Sequence, residues 1–472
     1  MAVIHCDQAI FTSVRGPMAE GYRVVAASRG LRPDEKQAIT KLSPSHDSLC
    51  WQPSDDAGGS AYAAAFYPLP TGRLCVALSC HAGAEHTGRG GHRVYTQNVV
   101  FDGRALDGVG CNPFHVARGM LAAGLGTPRL DVQGVVDEIE LQVDVGFPAD
   151  LPRAFTGALQ LPQARRALTA LFGDRGLIVP LRESWVEAAE MLLLSLPSPL
   201  RMKIAFAAGL RFSLGRSHRM YVLVDEKNAA KARVVGQRFD YLDADPDAAA
   251  LSASSTWTAF VERHWVQGKV EQLARRTVLS AEDCGLQPRE RIASLYNTID
   301  SIASMPIVEL FRLALRSLSE ASAGSLENIR RELVGCAQSE LLARLGRLPW
   351  REVVVLWPEM VRAWSAGEAP ARFVGPLSVA ALRSALKEDV AIAAEAALDL
   401  ASQPARELDA EVRAAIDEVL RRLAATPPTT SPEVSRRLSS VCTRWRAARP
   451  TWPLVRQLPQ PASPGATVAG LR

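Results

Sequence analysis

The side chains best suited to chemistry gather near the start of the chain. Six of the eight His and five of the eight Cys precede residue 116, and Cys75, Cys80, His81, His86 and His92 share one short stretch. Neutral imidazoles and thiolates are the donors a tetrahedral zinc takes, and a Cys beside a His is the pair from which an activated thiol is built. The spacing supports neither use. Paired ligand motifs of the CxxC kind are missing. Cys75 and Cys80 are an odd number of positions apart, which places them on opposite faces of one strand. No G-x-S-x-G elbow or Cys-His signature is present. The expectation is therefore no metal, no cofactor, and thiols that are mostly small, reduced, buried side chains.

Gly209-Leu210-Arg211-Phe212-Ser213-Leu214-Gly215-Arg216-Ser217 carries the glycines and the hydroxyl of a phosphate loop. It has one residue too many between the glycines, and Arg216 stands where Lys is required. It reads as a strand followed by a turn, and the chain is not expected to hydrolyse GTP or ATP by itself. Gly88-Arg89-Gly90-Gly91-His92 suits recognition better: adjacent glycines let a ligand approach the backbone, and the Arg89 guanidinium can fork onto a carboxylate or phosphate. The ordinary alternative is a Gly-rich hairpin loop with a solvated Arg.

The elements that must position these residues begin with strands. Ser60–Tyr67 and Arg73–Ser79 flank Pro70-Thr71-Gly72, which predicts a hairpin, and His92–Phe101 supplies a further strand. Asn112-Pro113 predicts a helix start, with Asn as N-cap and Pro at the first position. Ile139–Val145 alternates apolar and polar, the period of a half-buried strand. From 146 the pattern becomes mixed: a strand at Leu177–Pro180, a helix over Glu183–Leu194 stopped by Pro197, and two neighbouring strands at His218–Asp225 and Lys231–Asp240. From Asp245-Pro246 onward helices dominate. Ser325 is a candidate cap for a helix burying Leu326, Ile329, Leu333 and Cys336, and Leu408, Val412, Ile416, Leu420 and Leu423 form another stripe. Ser431-Pro432-Glu433 opens a last short helix, and residues 459–472 read as a disordered tail. Seven Trp lie beyond residue 250, where core packing is their usual role and partner anchoring the rarer one.

Taken together, Gln8-Ala9-Ile10-Phe11-Thr12-Ser13, Gly21-Tyr22-Arg23-Val24-Val25-Ala26-Ala27-Ser28-Arg29-Gly30-Leu31, the Tyr62–Cys80 hairpin and the Cys80–His92 segment resemble the type 2 N-terminal domain of bacterial GTPase-associated proteins, which belong to nucleotide-dependent conflict, or defence, systems. The helix ending in Leu196-Pro197, then Arg201-Met202-Lys203-Ile204-Ala205-Phe206 and a sheet, looks like that family's middle domain. The resemblance spans residues 1–245. It implies a noncatalytic adaptor or regulator acting with a partner GTPase or other proteins of the same system. Its motifs add Arg29 to Gly88, Arg89, Gly90 and His92 as candidate binding residues. Two alternatives stay open: an enzyme using a His/Cys-rich N-terminal cleft, and a helical structural scaffold.

Composition bounds these readings. A chain of 472 residues exceeds what one core supports, and 47% hydrophobic with 22% charged residues is ordinary for a globular protein. A net charge of +4 argues against dedicated nucleic-acid or membrane-surface binding. The first residues lack a signal-peptide pattern and no apolar run is long enough to span a bilayer, so a cytoplasmic, non-membrane protein is expected. The expected organisation is α+β: a β-rich N-terminal domain (1–145), a small α/β middle domain (146–245), a helical C-terminal region (246–425), and a linker, short helix and tail (426–472).

Overall fold

The computed structural model describes residues 1–15, 21–50, 62–85, 91–181, 183–223, 230–232, 238–242, 255–320, 323–403, 408–427 and 432–459. The architecture is α+β, β-rich toward the N-terminus and helical toward the C-terminus. The chain divides into two compact units, 1–293 and 294–472.

The first unit is built on an eleven-stranded sheet. Its strands are β1 (Ala2–Val14), β2 (Gly21–Ala27), β3 (Ala63–Pro68), β4 (Leu74–Ala84), β5 (His92–Phe101), β6 (Gly134–Val135), β7 (Ile139–Val143), β8 (Gly176–Pro180), β9 (Phe206–Ala208), β10 (Met220–Leu223) and β11 (Phe239–Tyr241). They run in the order β11-β8-β10-β9-β3-β4-β5-β1-β2-β6, with β7 added to the first residues of β1. From β3 to β2 the pairing is antiparallel, and from β9 to β11 it is parallel. The antiparallel pairing of β3 with β9 joins the two parts into one sheet.

The β3–β4 hairpin closes where the Pro and Gly residues predict it. Gly72 takes a φ of 83°, a left-handed conformation costly for other residues, and its N–H donates to Leu69 O at 3.0 Å. Asn112 caps helix α2 (Pro113–Ala122), accepting from Phe114 N at 3.0 Å. Helix α1 (Pro33–Leu42) starts on the same logic, with Pro first and the Glu35 carboxylate accepting the Arg32 N–H at 2.9 Å. With the 43–49 loop behind it, α1 covers one sheet face, burying Ala9, Ala65, Tyr67, Cys75, Val94 and Tyr221. Cys75 belongs to this face, whereas Cys80 packs on the other, beside Ile10, Ala82 and Tyr95, as their odd separation requires.

The mixed region holds α3 (Leu151–Ala158), α4 (Leu161–Phe172), α5 (Trp185–Leu194) and α6 (Ser198–Arg201). Two expectations need correcting. Of the strand expected at 231–240, residues 233–237 lie outside the described residues, 230–232 are helical and Phe239–Tyr241 is extended. The two strands are also not neighbours, because β8 lies between β10 and β11. All three are parallel, and parallel strands need a crossover connection, which frees a strand earlier in sequence to take the middle place. The helix start at Asp245-Pro246 lies outside the described residues; the next described helix, Thr256–Gln267, is capped by the Ser255 side chain on Thr258 N.

The second unit is helical: Ile307–Ser319, Gly324–Leu345, Trp350–Val353, Trp357–Ser365, Ala371–Glu388, Val390–Ala401, Ala410–Ala425 and Pro432–Ala448. The stripe of the Gly324–Leu345 helix buries Ile329 and Leu333 and continues to Ala337 and Leu341. Ser325 falls inside its first turn rather than at the cap, and the last helix is seventeen residues rather than short. Val412, Ile416, Leu420 and Leu423 are buried as a stripe. Trp350, Trp357, Trp364 and Trp445 are core residues here, as Trp257 and Trp265 are in the first unit. Arg330 and both Arg421 and Arg422 are held in surface ion pairs, with Glu320 and Glu418 respectively. Among the described residues, no helix is long and apolar enough to cross a membrane.

Candidate functional site

The centre of the antiparallel sheet is unusually polar for strands covered on both faces. Thr96, Gln97 and Asn98 follow one another in β5, all fully buried. The pleat sends Gln97 to one face and its two neighbours to the other. Gln97 Nε2 donates to Gln8 Oε1 at 2.9 Å, Tyr95 Oη donates to Gln97 Oε1 at 2.8 Å, and Gln8 Nε2 donates to Asp137 O at 2.6 Å. On the opposite face Asn98 Oδ1 accepts from Tyr67 Oη at 3.1 Å, and the Ser79 and Thr96 hydroxyls meet at 2.9 Å. A buried network satisfied this fully fixes strand register and rigidifies the platform. Its members come from β1, β3, β4 and β5, so sequence spacing gives little sign of it.

At one end of this platform, β4 and β5 bring His81 and His92 edge to face with ring centroids 5.0 Å apart. Gly91 has a φ of 83°, and a Cβ there would lie 2.9 Å from His46 Nε2, so the 43–49 loop approaches the backbone closely. Glu85 is buried and accepts from Ser13 Oγ at 3.2 Å and Tyr22 Oη at 2.9 Å. Burial and the neighbouring carboxylate push the Tyr22 phenol up.

His92 is half-buried at the start of β5, and Arg29 is exposed in the turn after β2. The structure does not bring these two together. Gly30 lies against Asp7, whereas His92 extends the β1–β5 register beyond the Thr12–Tyr95 pair. By that register they stand about eight residues apart along β1, roughly 25 Å. Gly88, Arg89 and Gly90 lie outside the described residues, as does His86. Beside Arg29, Asp7 is joined to Arg73 at 2.6 Å, and Arg73 reaches buried Glu35 at 3.4 Å. A Cβ on Gly30 would fall 2.5 Å from Asp7 Oδ1.

Four thiols of the first unit are poor nucleophiles. Burial pushes Cys6 and Cys75 up to about 12 and Cys80 and Cys111 up to about 11, so all four stay protonated at neutral pH. Among the described residues no group of three or more His, Cys, Asp and Glu side chains is disposed to hold a metal ion.

Two further clusters escaped sequence reasoning. Glu190 on α5 binds Arg118 on α2 through both nitrogens at 2.7 and 2.9 Å, and accepts from Asn112 Nδ2 at 2.6 Å. His115 Nδ1 accepts from Arg118 Nη2 at 2.8 Å, and burial followed by the Arg118 charge holds its imidazole down to about 4. Arg201, entirely buried, donates to Leu196 O, Gly110 O, Leu194 O and the Thr277 hydroxyl, so every nitrogen is used. Nothing in the spacing of these residues announces the contacts, although a charge inside an apolar helix, as Glu190 is, signals a buried partner.

No curated protein and no solved structure matches the chain. Residues 5–125, from within β1 to just past α2, match the model of the family described as GTPase-associated protein 1, N-terminal domain type 2.

Proposed function

We propose that this protein is a noncatalytic adaptor or regulator that acts with a partner GTPase in the cytoplasm, as part of a bacterial conflict system, and that residues 146–245 correspond to that family's middle domain. The observation that carries the reading is the match of residues 5–125 to a GTPase-associated domain. The chemistry of the first unit is consistent with it. The buried network on β5 is spent internally on holding the sheet, and burial holds the Cys75 and Cys80 thiols in their unreactive form. Such a platform suits presentation of surface residues to a partner, and the Gly88–His92 segment and Arg29 are the proposed contacts. They serve as separate contacts of an extended surface rather than one pocket, since His92 and Arg29 lie at different ends of β1.

The test is binding of the purified full chain to a candidate partner GTPase, with GDP and with a non-hydrolysable GTP analogue. Complex formation in one nucleotide state, weakened by Arg89→Ala or Arg29→Ala, is expected. Failure to bind in both states, with the chain folded, overturns the proposal.

A further inference from the structure

The segment that imitates a phosphate loop places two buried side chains in an unusual situation. Arg216 is 8% exposed and His218 is 2% exposed. Arg216 donates from Nη1 to Ser48 Oγ at 3.2 Å and from Nη2 to Arg211 O at 2.6 Å, both neutral acceptors. Its Nε has no partner, and it makes no ion pair among the described residues. Neither His218 Nδ1 nor Nε2 has a hydrogen-bond partner among the described residues. The His218 ring lies between aromatic neighbours, with centroids 6.0 Å from Tyr67 and 5.6 Å from Tyr221. Tyr221 in turn donates to Arg216 O at 2.8 Å, which fixes the turn carrying both residues. Ser43, whose Oγ is also buried and short of a well-formed hydrogen bond, adjoins Tyr67. All of these belong to the sheet face under the 43–49 loop.

Arg201 is the internal control. It is still more deeply buried and also lacks a carboxylate, yet carbonyl and hydroxyl oxygens occupy all its nitrogens. Arg216 is not completed in that way. A buried guanidinium without a counter-charge, beside an imidazole with two idle nitrogens, is an expensive arrangement unless something polar and negative completes it. We propose that Arg216 and His218, with Ser43 at the margin, form a buried site for a small oxyanion, a phosphate or a group of the same chemistry. Arg216 supplies the charge and its Nε–H, and His218 supplies one ring N–H. Burial and the Arg216 charge hold the imidazole down to about 3, so it stays neutral and keeps one donor and one acceptor. The site differs from a nucleotide-hydrolysing loop, because Arg replaces Lys and the glycine spacing is wrong. It stands independently of the GTPase partner.

Thermal melting of the full chain during titration with inorganic phosphate, against chloride at constant ionic strength, tests this. The expected result is a saturable rise in Tm with phosphate, since a ligand that binds only the folded state stabilises it. The rise should vanish in Arg216→Gln. It should persist at higher phosphate in Arg216→Lys, which keeps the charge and serves if the Gln variant does not fold. A wild-type Tm indifferent to phosphate overturns the site. So does a phosphate response that Arg216→Gln and Arg216→Lys both share unchanged with the wild type.

Discussion

Arg118 and Glu190 meet through two guanidinium nitrogens, 2.7 Å to one carboxylate oxygen and 2.9 Å to the other, with Glu190 only 1% exposed. The pair locks α2, which ends the GTPase-associated match, to α5 of the following region, and Asn112, the cap of α2, joins the same carboxylate.

Removing one partner should therefore be costly. Glu190→Ala leaves the Arg118 charge and the Asn112 amide without their acceptor, and a loss of roughly 3 kcal/mol is expected, as for other broken buried pairs. Urea unfolding followed by fluorescence measures it. A loss below the effect of an ordinary surface substitution would contradict the assigned role.

Two of the three buried histidines, His115 and His218, have imidazoles held down by burial and contribute to the acid response. Folded-state values of about 4 for His115 and about 3 for His218 lie below the unfolded value near 6.5, so the unfolded chain binds more protons as pH falls. Their stabilisation is complete above pH 6.5 and is lost downward toward those folded values, at about 1.4 kcal/mol per pH unit for each histidine. Urea titrations between pH 7 and 5 should show this slope, and His218→Phe should remove about half of it. Stability independent of pH across that window would contradict the burial of both rings.

The hairpin at Pro70–Gly72, the α2 cap at Asn112-Pro113 and the opposed faces of Cys75 and Cys80 were legible in the sequence because each depends on neighbours a few positions away. The buried network was not. Gln97 looks like any strand polar residue until Gln8, 89 positions away, is placed beside it. The same holds for Arg216, whose partner Ser48 lies 168 positions earlier. The order of β8, β10 and β11 was hidden for a related reason: local pattern gives a strand's existence, whereas crossovers give its neighbours. For the binding candidates, the family resemblance grouped Arg29 with His92, and the register of β1 separates them.

Thiol reactivity should follow burial. At pH 8, Cys6, Cys75, Cys80 and Cys111 are expected to resist iodoacetamide in the native chain and to react once it is unfolded, since the thiolate is the reactive form. Mass spectrometry of labelled peptides separates the sites. Rapid native labelling of Cys80 would revive a chemical role for the His/Cys stretch.

Gly30 tests the packing beneath the Arg29 turn. A Cβ there would meet the Asp7 carboxylate at 2.5 Å, and Asp7 is held by Arg73. Gly30→Ala should cost about 1–3 kcal/mol, the usual penalty of overpacking. Thermal melting gives the value; an unchanged Tm would show that the turn moves aside freely.

The proposed association with a GTPase is tested most directly by calorimetric titration of the full chain with a candidate partner GTPase loaded first with GDP and then with a non-hydrolysable GTP analogue. A saturable heat in one nucleotide state, with an affinity weakened tenfold or more by Arg89→Ala through loss of about 1.4 kcal/mol, is the predicted result. A folded chain that gives no heat in either state, and does not co-elute with the GTPase, would contradict it.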